Sequence, residues 1–78
     1  MKLNEAVKTR IIQLCDERKI TINKLGTISG ISRTTIGNII GTRNSSPTVS
    51  TIKKLCDGLG IDIIEFFTDD IFRSLEQE

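Results

Sequence analysis

Arg33, Thr34, Thr35 and Asn38 bring three kinds of hydrogen-bonding side chain into one short stretch of this 78-residue chain. Arg can bond both acceptors on the edge of a guanine, Asn can bond an adenine, and Thr offers a hydroxyl and a methyl group. Bond-making chemistry has no comparable candidates. The chain has no His, and no two carboxylates sit at a spacing suited to a general acid and base. Cys15 and Cys56 lie far apart, whereas a zinc site needs clustered Cys and His ligands. A disulfide between them is not expected in a reducing compartment, and both read as small core residues. The residues therefore point away from an enzyme, and no metal and no cofactor is expected.

The elements that must hold these side chains are read from apolar periodicity. Val7, Ile11, Leu14 and Arg18 recur at helical spacing, with Ile12 and Cys15 widening the stripe, which predicts a first helix over about 3–19. Thr21 is a good N-cap for a short second helix, about 22–29, with Leu25 and Ile28 inward and Gly30 ending it. Ser32 caps a third helix, about 33–40, whose inward residues are Ile36, Ile39 and Ile40, and Gly41 closes it. The stretch 42–47 is polar and turn-forming. Thr48 or Ser50 then caps a fourth helix with Val49, Ile52, Leu55, Cys56 and Leu59 inside and Gly60 at its end. Asp62 and Glu65 form a D-x-x-E capping pair for a fifth helix carrying Ile63, Phe66 and Phe67. Residues 68–78 can add a last helical turn or two. The expectation is a compact all-α domain of five short helices.

Two short helices joined by Ser29-Gly30-Ile31-Ser32 make a helix-turn-helix: Gly turns the chain, Ile plugs the core and Ser starts the next helix. Gly26 fits, because the second and third helices cross closely and need a small residue there. Charge adds to this reading. Residues 1–56 hold ten cations against three carboxylates, a charge of +7, while residues 57–78 hold one cation against seven carboxylates, −6. A basic body with an acidic end suits an anionic partner on one side. No stretch is apolar enough to span a membrane, and the start of the chain lacks a signal-peptide pattern, so a cytoplasmic location is expected.

Residues 11–67 resemble the Cro and phage-repressor (XRE-like) helix-turn-helix family. The resemblance rests on "ITINKLGTISGISRTTIGNII" followed by "SSPTVSTIKKLCDGLGIDIIEFF", several motifs in order without gaps. It implies a lambda-repressor-like fold, with residues 1–67 as the DNA-binding domain and 68–78 as an extension. It also implies double-stranded DNA as partner, with the third helix entering the major groove. Carried over by position, Arg33, Thr34 and Asn38 would face the bases. Thr35 would lie near the backbone or a thymine methyl, and Ser32 would be a cap that can touch phosphate. Further backbone contacts would come from Thr21, Ile22 and Asn23, and from Arg43, Asn44, Ser45, Ser46 and Thr48.

The sequence departs from the family in ways that matter. Ile22 replaces the usual Gln, and the loop after the third helix carries only Arg43 as a cation, which predicts a shallow salt dependence. Gly37 lies inside the recognition helix. Cys15 and Ile40 stand where many members place an ion pair, and an apolar contact between them is expected instead. Family members of this type usually pair across a palindrome, and Ile64, Ile71, Phe72 and Leu75 could form the two-fold contact of a homodimer. Alternatively the tail buries these residues within one chain. The rival function is a protein-interaction module on the same fold, binding a regulatory protein partner and little DNA.

Overall fold

The computed structural model describes residues 1–41 and 46–76. They form five helices: α1 (Leu3–Arg18), α2 (Ile22–Ser29), α3 (Arg33–Ile40), α4 (Val49–Leu59) and α5 (Ile63–Phe67), followed by a single 3₁₀ turn at Asp70–Phe72. The all-α fold matches the sequence reading, and the predicted caps hold the predicted ends. The side chains of Thr21, Ser32, Thr48 and Asp62 each accept from the backbone N–H three residues on, at 2.7 to 3.1 Å. Thr48, and not Ser50, is therefore the cap of α4. Gly30 and Gly60 end their helices in the left-handed region, at φ 70° and 75°, which Gly enters without a Cβ clash.

One cluster forms the core. Val7, Ile11, Leu14 and Cys15 of α1 meet Leu25 of α2, Ile36 and Ile39 of α3, Ile52, Leu55, Cys56 and Leu59 of α4, and Phe66 of α5. Ile40 is partly buried against the same cluster that holds Cys15. A Cβ on Gly26 would lie 3.5 Å from Ile36 Cγ2, so the second and third helices do cross closely. A second close approach was not foreseen: a Cβ on Gly58 would fall 2.1 Å from Ser29 Oγ, at the contact between α2 and α4.

Three expected core residues face outward instead. Ile12 is 37% exposed, Ile28 45% and Val49 72%. On α1 the inward face is set by Val7, Arg10, Ile11, Leu14 and Cys15, which turns Ile12 to the edge. On α2 the buried residues are Leu25 and Gly26, so Ile28 points away. Val49 lies in the first turn of α4, ahead of where that stripe reaches the core at Ile52. In exchange, Arg10 is buried. Its guanidinium donates to the carbonyl oxygens of Phe66 (2.7 Å) and Glu65 (2.9 Å) and lies 3.5 Å from an Asp69 carboxylate oxygen. Periodicity treats Arg as a polar position. It cannot anticipate that the terminal carbonyls of α5 satisfy the charge. Arg18 acts similarly on α4, donating to the Leu59 carbonyl at 3.2 Å.

The tail supplies the predicted extra turn and then runs back to the chain's start. The Glu76 N–H donates to the Met1 carbonyl at 3.0 Å, beside an isolated bridge between Lys2 and Glu76. Phe72 stacks edge-on to Phe67, centroids 4.9 Å apart.

Candidate nucleic-acid interface

The turn between α2 and α3 presents the start of α3 to solvent. Ser32 fixes that start: its hydroxyl accepts from the Thr35 N–H at 3.1 Å and donates to Thr35 Oγ1 at 2.9 Å. Ile36 and Ile39 point into the core. At 100° per residue, Thr34 and Asn38 then project away from the core, while Arg33 and Thr35 lie on the two flanks of the helix. Arg33, Thr34 and Thr35 are exposed, and Asn38 is half-buried. Gly37, exposed and without a side chain, lies among them. Of the sequence-predicted base-reading residues, Thr34 and Asn38 thus share the side turned from the core, with Arg33 at its edge at the start of the helix. The Ser32 and Thr35 hydroxyls are already engaged with each other, which fits capping better than base contact.

Thr21 and Asn23, at the start of α2, are exposed as well. Asn23, Thr27 and Arg33 line one small hollow of about 50 Å³, so the residues expected at the DNA backbone and at the bases are contiguous. Ser46 and Thr48 are exposed ahead of α4. Arg43, Asn44 and Ser45 lie outside the described residues.

Electrostatics separates this side from the rest. The first turns of α2, α3 and α4 contain no acidic residue, and their caps are the neutral Thr21, Ser32 and Thr48. By contrast, α1 and α5 begin with Glu5 and with Asp62 and Glu65. A helix N-terminus carries partial positive charge and free N–H groups that favour anions, and an acid in the first turn would cancel that. Arg33 and Lys24 form no ion pair among the described residues. The arrangement suits binding to phosphate and hydrogen bonding to flat polar edges. Sequence reading missed two cations here. Lys24 stands in the first turn of α2, and Lys8 of α1 reaches Gly41 at the end of α3. Lys24 was legible from its place beside the cap. Lys8 was not, because that contact joins residues 33 apart.

The four residues expected at a dimer contact do not make one exposed patch. Ile71, Phe72 and Leu75 are half-buried within the chain, while Ile64 is 77% exposed. Ile64 borders a shallow hollow with Ile61 and Ile63, edged by Lys53, Asp57 and Asp62. Lys53 and Asp57 form an ion pair on α4. Cys15 and Cys56 are free and buried. Among the described residues no group of three or more His, Cys, Asp or Glu could hold a metal ion, and no helix is long and apolar enough to cross a membrane.

Known proteins resemble this arrangement. Residues 10–70 match the model of the Cro/C1-type helix-turn-helix DNA-binding domain. The chain is 39% identical over 57 residues to the HTH-type transcriptional repressor RghR of Bacillus subtilis (strain 168), a match covering 73% of this chain and 42% of that protein. The chain thus spans less than half the length of this relative. The crystal structure of the prophage Lp1 protein 11 superposes with a TM-score of 0.84 at 30% identity, covering 96% of this chain and 100% of that one.

Proposed function

The chain belongs to the Cro/C1-type helix-turn-helix DNA-binding family, and from that membership we propose that it is a transcriptional regulator, a repressor by likeness to RghR, that reads a palindromic operator through α3. The observation that supports this reading is the side of α3 turned from the core, with Arg33 and Thr34 exposed and Asn38 half-buried, beside helix N-termini that carry no acid. Arg33 would take the O6 and N7 acceptors of a guanine and Asn38 an adenine edge. Thr21, Asn23, Ser32, Thr35 and Ser46, with Arg43, Asn44 and Ser45, would contact the backbone and fix register. The protein would work as a cytoplasmic homodimer, since one recognition helix reads only a few base pairs. Ile64 is the best-supported centre of the two-fold contact. Its hollow is lined by Ile61, Ile63 and Ile64, an apolar patch that a second copy of itself would cover.

Selection from a random duplex pool, run in parallel on the wild type and Arg33→Ala, tests the reading. The wild type should enrich a palindrome with half-sites one helical turn apart. Arg33→Ala should relax one base position per half-site and cost about 1–3 kcal/mol. Enrichment by the wild type with an unchanged motif for Arg33→Ala contradicts the assigned reading face. Absence of any enrichment favours the protein-interaction module.

A further inference from the structure

Lys8 lies on α1, outside the helix-turn-helix, yet its Nζ donates to the carbonyl oxygen of Gly41 at 3.4 Å. Gly41 ends α3. We propose that Lys8 is a backbone-phosphate contact: its ammonium, held at the far end of the reading helix, takes a phosphate oxygen of the bound duplex. This rests on the reading that α3 enters a groove.

Three observations carry the inference. Lys8 is half-buried, so part of its flexible stem is already ordered, and less freedom is lost when the ammonium meets a second acceptor. An ammonium has three donors, and the one described bond, at 3.4 Å, is long for an N–H···O contact. No carboxylate among the described residues pairs with Lys8, so its charge is not neutralised by a neighbour. Glu5, one turn before Lys8, is turned to the helix start, where it accepts from the Lys2 N–H, and Glu17 pairs with Arg18.

Placement completes the case. The helix from Arg33 to Ile40 is about 12 Å long at 1.5 Å per residue. Arg33 opens it, and Lys8 is attached to its end. In the proposed reading Arg33 faces the bases at one end of the helix, and Lys8 stands at the other end, where the chain leaves α3 and backbone contacts are expected. The polar loop that follows carries a single cation, Arg43. An α1 lysine would supply charge that the loop lacks.

The test uses the duplex enriched by the wild type and an unrelated duplex of equal length. Dissociation constants are measured from 50 to 200 mM salt for the wild type, Lys8→Gln and Lys8→Arg. The inference predicts that Lys8→Gln makes the log–log salt slope shallower by about 0.9, the loss of one phosphate contact. Its affinity deficit should then be about threefold larger at 50 than at 200 mM, equally on both duplexes. Lys8→Arg should keep the wild-type slope. A folded Lys8→Gln with the wild-type slope overturns the inference and leaves Lys8 as a tie to Gly41. If Lys8→Gln does not fold, acetylation of the wild-type lysines decides: duplex should protect Lys8, and unchanged labelling overturns the inference. If the wild type itself shows no salt-dependent duplex binding, the DNA-binding reading fails and this inference with it.

Discussion

Gly37 and Gly41 stand one helical turn apart and carry opposite constraints. A Cβ on Gly37 would meet nothing within 4 Å, whereas one on Gly41 would fall 2.7 Å from the Gly37 carbonyl oxygen. Gly37→Ala should therefore raise stability by about 1 kcal/mol through helix propensity alone. Gly41→Ala should lower it by about 1–3 kcal/mol, because backbone must move. Urea unfolding of the two variants checks both signs. The buried cysteines give a second prediction. Burial, reinforced by the neighbouring Asp16, pushes the Cys15 thiol above the ordinary value of 9.0. Burial, with Asp57, does the same to Cys56. Above that value the unfolded chain releases protons that the folded chain retains, so unfolding is favoured as pH rises. Stability should hold through neutral pH and fall from about pH 9 upward. Cys56→Ala should flatten this fall while lowering stability overall, and denaturation curves at stepped alkaline pH would show it.

The helix ends were legible because each is written locally: Thr21, Ser32, Thr48 and Asp62 cap, and Gly30 and Gly60 stop. The end of α1 is an exception. Its C-cap is Lys19, at φ 55°, a left-handed residue that no residue-type rule flags. Which way each helix faces was less legible, because an apolar stripe gives only an average direction. Ile12 and Ile28 fit the stripe and face solvent, while Arg10 breaks the stripe and is buried. Arg10 joins α1 to the end of α5 and to Asp69. Arg10→Ala should leave the Phe66 carbonyl without the Arg10 donor, and the Glu65 carbonyl with only the Thr68 N–H, and cost on the order of 3 kcal/mol. Hydrogen exchange should show α5 and the 3₁₀ turn opening first in that variant. Uniform loss of protection across all five helices would mean that Arg10 supports the whole core and does not specifically hold this junction.

Across the whole molecule, the charge division seen along the chain becomes a division between helix ends: acids cap α1 and α5, and none occupies the first turns of α2, α3 and α4. The helices that carry the proposed reading residues were legible because they lie within one local motif, Thr21 to Ile40. The expected association surface was not, because whether Phe72 packs on Phe66 and Phe67 or on another copy depends on how the tail returns. The Lys8 contact shares that difficulty, since it crosses from α1 to the end of α3.

The central claim is that α3 meets DNA. Titration of the ¹⁵N-labelled protein with the enriched duplex, following amide shifts, tests it most directly. The account predicts the largest changes at Thr21 to Lys24 and Ser32 to Asn38, with smaller ones near Gly41 and little at Ile61 to Ile64. Changes confined to Ile61 to Ile64, or to the tail, with the amides of α3 undisturbed, would contradict it.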